Sequence, residues 1–516
     1  MTYTRKNVWE LGNDWADEIL WYARGVQAMQ KRELDDPKGW RFYAAIHGFD
    51  QSLWQSHGYW SPGDRKPNDD DKKRFWSQCQ HGSWYFLPWH RGYLMAFEET
   101  VRAEIVGLGY KGEWALPYWN YFKPNQFKLP PGFADKDWPD GKGNNPLYVQ
   151  QRFGPDYNGN VYVDLRDADL GQMDDHDFIG VYSARGSRGF GGPKTRPLFA
   201  HAGSDHGGIE TQPHDQVHVM VGGRDPIRVA RKGLMTDPRL AGLDPIFWLH
   251  HANMDRLWEV WRLNPPTNLN PTDPAWLAGP AIDGEQKFSM PKPDGSSWDY
   301  TPEEMQNLGA LGYVYDDVSP PGPPRPPTAR LLRLGVSPER VEAIVQKEGG
   351  VVASETNVEL IGKNAGPLQI EGLGASTSVR LDANMSRKVA SSFALNVNTP
   401  APDRVFLNLE NVRGVDDSAI LQVYVDLPEG ASPADHPELR AGSLALFGLE
   451  QASLPDGPHA GQGLNLGLEI TKVIDTLQVD DKLNTNALDV RIVPRNPVPE
   501  DAKISIGRVS IFRQGK

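Results

Sequence analysis

At 516 residues the chain exceeds what one hydrophobic core ordinarily organises, so two domains are expected. A net charge of −13 argues against a nucleic-acid or anionic-membrane partner, and no apolar run is long enough to span a bilayer. A single cysteine, Cys79, excludes an intramolecular disulfide framework, and the opening MTYTRKNVWELGNDW lacks the apolar core of a secretory signal. Both fit a reducing, cytoplasmic location, with export on a partner protein left open.

In chain order, residues 8–31 are predicted to form a helix with Trp9, Trp15, Ile19, Leu20, Tyr22 and Val26 on its apolar stripe. A second helix is expected from about Pro37 to Gln51, carrying His47. The stretch FWSQCQHGSWYFLPWHRGYLMAFEETVRAEI delivers His81 from irregular chain and His90 from the opening of a helix, whose buried face continues through Leu94, Phe97, Val101 and Ile105. Residues 121–200, rich in Gly, Pro, Asp and Asn, read as long loops that shape a binding mouth. Next, PHDQVHVMVGG places His214 and His218 four apart, on one face of a helix. Asp244-Pro245 is a helix start, with a carboxylate at the N-cap and proline at the first position. The helix that follows carries the pair His250 and His251 with the apolar Phe247, Leu257 and Trp258. The proline-rich segment SPPGPPRPP marks a linker over 317–330, and 337–347 read as a short capped helix. Beyond it the pattern alternates: Val405, Leu407, Leu409; Leu421, Val423, Val425; Ile504, Ile506, Val509, Ile511. This predicts an all-β, sandwich or jelly-roll-like module in 331–516.

Eleven of the thirteen histidines precede residue 252, and six have ligand-like placement: His47, His81, His90, His214, His218, and one of His250 and His251. Each sits among apolar aromatics, where an imidazole without a partner is costly to bury. The HxxxH element carries Asp215 and Gln216 between its histidines rather than the glutamate of HExxH, which disfavours a zinc peptidase. No carboxylate cluster accompanies the set, which disfavours non-haem iron. Two three-histidine halves favour a coupled pair of copper ions.

HGSWYFLPWHRGYLMAFEE and LDPIFWLHHANMDRLW resemble the two copper-binding signatures of the type-3 copper family of tyrosinases, polyphenol oxidases and haemocyanins, and the resemblance covers residues 1–316. It implies a mainly α catalytic domain, a four-helix bundle holding two copper ions with dioxygen as co-substrate. Its first copper would be held by His47, His81 and His90, its second by His214, His218 and His251, with His250 a structural neighbour. Cys79-Gln80-His81 is similar to the Cys-x-His of members with a thioether between that cysteine and that histidine. Glu210 matches a glutamate that holds a water near the second copper, and Asp215 the position associated with hydroxylating members. Pro238 falls where relatives place a bulky gate, and Val219 and Phe247 would wall the substrate pocket. Asn253 and Asp255 are expected to support the ligands from behind. Tyr313-Val314-Tyr315 resembles the element that closes the catalytic domain against an arginine near the start, here Arg5, which sets that domain at 1–316. The 331–516 module resembles, more loosely, the shielding domain of latent polyphenol oxidases.

The resemblance therefore implies o-hydroxylation of monophenols and oxidation of o-diphenols to o-quinones, with phenolic small molecules as partners and latency until the second domain is displaced. The alternatives are a catechol or o-aminophenol oxidase without monophenolase activity, or an oxygen carrier of haemocyanin type.

Overall fold

The computed structural model describes residues 2–181, 185–197, 204–228, 231–284, 287–320, 337, 339, 357–383, 403–457 and 459–515. The chain divides into two compact units. The first comprises Met1–Phe178, Lys194–Gly203 and Gly207–Pro321; the second comprises Ile179–Pro193, Ser204–His206 and Gly322–Lys516. Two short segments inside the stretch assigned by sequence to a 1–316 domain thus cluster with the second unit. Most of the predicted helix at 337–347 and most of the 317–330 linker lie outside the described residues.

The first unit is helical. Its helices include α1 (Asp17–Gln30), α2 (Trp40–His47), α3 (Gln51–His57), α4 (Asp69–Phe75), α5 (Phe86–Gly107), α6 (Pro131–Ala134), α7 (Asp215–Gly222), α8 (Pro238–Ala241) and α9 (Pro245–Leu263). Strand β1 (Tyr3–Arg5) pairs in parallel with β4 (Tyr313–Tyr315), and β2 (Phe288–Pro291) pairs with β3 (Ser297–Tyr300). The helix expected over 8–31 is shorter. Val8–Glu10 forms one 3-10 turn, Gly12 takes a left-handed φ of 91°, and regular helix starts only at Asp17. The helix expected over 37–51 is two, because Gly48 is extended and Asp50 caps the next helix by accepting from Leu53 N. Asp244 caps α9 as expected, accepting from Ile246 N, with Pro245 in the first turn.

One buried hub ties the ends of this unit to its longest helices. Asp255 accepts from Arg91 Nε (2.5 Å), Arg5 Nη1 (3.1 Å), Tyr313 Oη (2.7 Å) and Tyr315 Oη (2.5 Å), while Arg5 also donates to Glu98 (2.6 Å). The Arg5 guanidinium lies 3.9 Å from the centre of the Tyr313 ring. All these groups are buried, so the charges are compensated where solvent cannot reach them.

The second unit is β-rich, as the alternating pattern predicted. Its strands β5 (Asn357–Lys363), β6 (Leu368–Ile370), β7 (Ala375–Leu381), β8 (Arg404–Arg413), β9 (Ile420–Val425), β10 (Arg440–Ala445), β11 (Leu464–Glu469), β12 (Ala487–Pro494) and β13 (Ile504–Gly515) join in one sheet. The order is β10-β9-β12-β7-β5-β13-β8-β11, with β6 on β13. The sheet curls until its end strands meet: a Cβ on Gly442 of β10 would lie 2.9 Å from Leu468 of β11. The strands therefore form one nearly closed barrel. Leu407, Leu409, Leu421, Val423, Ile504, Ile506, Val509 and Ile511 fill its interior, with Val473, Ile474 and Leu477 of a Thr471–Val479 helix packed against them.

Candidate metal centre

Within the first unit, α2, the chain before α5, α5 itself, the start of α7 and α9 bring two buried groups together: His47, Cys79, His81 and His90, and His214, His218, His250 and His251. In each group one donor atom per residue lies within 4.8 Å of the others. All six histidines expected as ligands are in these groups. The groups abut, since the His90 and His251 rings stack at 4.4 Å and those of His81 and His214 lie 5.5 Å apart.

The tautomers follow from the acceptors behind the rings. His47 Nδ1 lies 2.8 Å from the Pro238 carbonyl, His90 Nδ1 2.8 Å from that of Phe86, and His218 Nδ1 2.8 Å from that of Met235. His214 Nδ1 lies 2.9 Å from Asp215 Oδ1. Carbonyl and carboxylate oxygens only accept, so each Nδ1 carries the proton and each Nε2 presents a lone pair. Burial, with the neighbouring imidazoles, pushes His90, His214, His218 and His251 well below the usual histidine range, and burial takes His250 to about 3. Neutral, oriented imidazoles are what a divalent or monovalent soft-to-borderline metal requires. His218 Nε2 and His251 Nε2 are 3.3 Å apart. That separation suits two nitrogens each about 2.0–2.1 Å from one tetrahedral ion. The residues fit a pair of copper ions.

His250 also enters the second group, yet its Nδ1 faces Tyr121 Oη at 3.4 Å. His251, by contrast, packs against His90 and lies under Phe247 at 4.2 Å. Cys79 Sγ is 3.7 Å from both His81 ring nitrogens and 3.4 Å from His90 Nε2, so it lies close against the His81 ring. Burial, and secondarily the Glu210 carboxylate, push its thiol upward, which keeps it protonated.

The buried Glu210 carboxylate accepts from Gly82 N (2.9 and 3.1 Å), the residue after His81, and from Gly207 N (3.2 Å). Glu210–His214 is a single wide turn interrupted at Gln212, with Pro213 inside it, and α7 begins at Asp215. Phe247 packs edge-on to His47 at 4.8 Å, and Val219 is buried beside His218. Pro238, expected at the gate, is buried, and its contribution is the carbonyl that orients His47. Asn253 and Asp255 are buried on α9: Asn253 accepts from Arg256 Nε, and Asp255 forms the hub above. Sequence reading missed Phe86, whose ring lies 4.5 Å from His90 and 4.8 Å from His214, and Tyr121 behind His250. An aromatic so close to two ligand positions carries no spacing signal, since Phe86 reads as one more core residue.

The common central domain of tyrosinase matches residues 37–264, and a domain of unknown function (DUF7868) matches 357–514. Tyrosinase HcTyr1 of Hahella sp. (strain CCB-MM4) is 31% identical over 99% of both chains, and the chloroplastic polyphenol oxidase of Malus domestica is 25% identical over 92% of this chain and 72% of its own. Among solved structures, latent apple tyrosinase shares the fold across 99% of this chain and 97% of its own, with a TM-score of 0.57 at 23% identity. The two imidazole groups, the central-domain match and the full-length relative agree: the chain belongs to the tyrosinase and polyphenol oxidase family, an oxidoreductase with a dinuclear copper site.

Proposed function

We propose that the chain is a tyrosinase in the full sense, one that hydroxylates monophenols at the ortho position and oxidises the resulting o-diphenols to o-quinones. His47, His81 and His90 hold one copper, and His214, His218 and His251 the other. Bound copper supplies the redox capacity that couples dioxygen to the phenol ring. The chain's own tasks are to bind the ring and to take its proton. A phenol ionises near pH 10, so hydroxylation at neutral pH needs a base beside the site. The observation that carries this reading is the pair of buried carboxylates at the second histidine group: Glu210, held by backbone amides, and Asp215, on the His214 ring. Glu210 acts as the base, directly or through a water, and Asp215 fixes the His214 ring. Val219 and Phe247 offer apolar surface to the substrate ring. The full-length likeness to a protein named tyrosinase supports the same reading. We also propose a thioether between Cys79 Sγ and a carbon of the His81 ring it lies against, which would hold His81 on its irregular segment.

The test is initial rates on L-tyrosine and L-DOPA with copper-loaded protein, intact and cleaved in the 317–330 linker. Cleaved wild type is expected to turn over both substrates, and the intact chain to be slower on each if it is latent. Glu210→Gln keeps the shape and one acceptor for Gly82, and is expected to lower the tyrosine rate about 100-fold with a smaller effect on DOPA. DOPA turnover without tyrosine turnover in the cleaved wild type would make the chain a catechol oxidase.

A further inference from the structure

The second unit contains two segments, Ile179–Pro193 and Ser204–His206, that lie in sequence just before the second copper half. Ser204–His206 lengthens the open side of edge strand β11. Asp205 bridges Asn465 in parallel, Asn465 N donates to Ser204 O (2.8 Å), and Asn465 Nδ2 donates to Asp205 Oδ1 (2.9 Å). Arg188 closes the arrangement from above. Its Nη1 donates to His206 O (2.7 Å) and its Nη2 to Asn465 O (3.1 Å), so one guanidinium joins the added segment to the strand. Arg188 is itself held. A Cβ on Gly180 would lie 2.1 Å from the Arg188 carbonyl carbon, Ser187 N donates to Gln514 Oε1 (2.7 Å), and Asn408 Nδ2 donates to Arg185 O (3.1 Å). The guanidinium lies over Gly467, where any Cβ would sit 2.9 Å from Nη2 and 2.6 Å from Asn408 Oδ1. Strand glycines of this kind mark a close approach by another group.

The clamped segment ends one residue before Gly207. Gly207 N donates to Glu210 Oε2 (3.2 Å), and Gly207 O accepts from Thr211 N (2.9 Å), the bond that opens the turn delivering His214. Seven residues, 207–213, separate the clamp from the copper ligand His214, and the turn Glu210–His214 that ends the stretch is compact rather than a slack loop. We propose that Arg188 and Asn465 are positioning residues: by adding Ser204–His206 to β11, the β-rich unit fixes the entry of the chain into Glu210 and His214 and so steadies the second copper. The proposal rests on the dicopper assignment and not on which phenol is the substrate.

The test is release of copper from full-length, two-copper protein to a competing chelator, followed per equivalent. In Arg188→Ala the clamp is cut. In Gly467→Ala every hydrogen-bonding group is kept, while the added methyl crowds the guanidinium and the Asn408 amide that holds the Arg185 carbonyl, so this variant serves if the first does not fold. Each is expected to release one of its two coppers about 10- to 100-fold faster than wild type, the range for groups that orient ligands from behind, with the other equivalent unchanged. Arg404→Ala removes an exposed ion pair with Glu469 elsewhere on β11 and is expected to release both as wild type does. Wild-type release of both coppers in the folded clamp variant would overturn the proposal. So would equal acceleration of both, which marks general loosening.

Discussion

An imidazole that is to hold a metal must be neutral, turned inward and kept there, and three of the four acceptors that do this are main-chain carbonyls, of Phe86, Met235 and Pro238. Main-chain oxygens leave no trace in residue identity. That His47, His81, His90, His214, His218 and His251 gather in two buried groups was therefore legible from the sequence, through spacing, aromatic surroundings and motif, whereas what orients them was not. Pro238 shows the difference well: its position drew notice as the place of a bulky gate in relatives, while its carbonyl, 2.8 Å from His47 Nδ1, could not be read from residue identity. Cys79 was legible because it is the only cysteine and lies two residues before a ligand. Its sulfur lies 3.7 Å from both His81 ring nitrogens, a closeness that supports the proposed thioether. Forming that bond removes one hydrogen from sulfur and one from the ring, with dioxygen at the copper site as the oxidant. The intact mass of copper-loaded, aerated protein is expected to be lower by two hydrogens than that of Cys79→Ser, after allowing for the substitution. Equality after the same correction would rule the bond out.

At the level of elements, the helix starts at Asp244 and the alternating strands were readable because caps and period-two patterns are local. The break of the first predicted helix at Gly12 was not, since an apolar stripe persists through a turn. Nor was the joining of all nine strands into one curled sheet, which depends on partners far apart in sequence. The end of β9 gives a consequence of that pairing. Asp426 sits in a left-handed conformation beside β12, exchanging Asp489 N→Oδ1 (2.7 Å) and its own N→Asp489 O (2.8 Å), while its Oδ2 is buried with no hydrogen-bond partner. Burial pushes the Asp426 carboxyl up to about 6, against the Asp489 amide that hydrogen-bonds it and with the Asp489 charge adding a smaller push. An unfolded aspartate titrates near 3.9, so between about pH 4 and 6 the folded chain binds more protons than the unfolded one. This group's contribution to stability therefore falls as pH rises through that window. Asn suits the same backbone conformation and keeps the acceptor for Asp489. Asp426→Asn is expected to melt at a higher temperature than wild type at pH 7 and at a similar temperature at pH 4. A melting temperature unchanged or lowered at pH 7 would refute this account of Asp426.

For the whole molecule, sequence order and compact units do not coincide. The catalytic chain lends Ile179–Pro193 and Ser204–His206 to the β-rich unit, a loan no composition shift announces because loops rich in Gly and Pro read alike wherever they pack. The Asp255 hub, by contrast, was partly foreseen through Arg5 and the Tyr313–Tyr315 pair, and it binds the two ends of the first unit around α5 and α9. Both devices serve the same end, holding buried nitrogens from distant parts of the chain within reach of shared ions.

The most direct measurement of that end is copper per folded chain after reconstitution and removal of loosely bound metal. Two equivalents are expected for the wild type, and one for His218→Ala, which removes the nitrogen 3.3 Å from its counterpart on His251 while leaving the first group whole. A folded wild type retaining fewer than two, or a His218→Ala chain still retaining two, would contradict the dinuclear site on which the account stands.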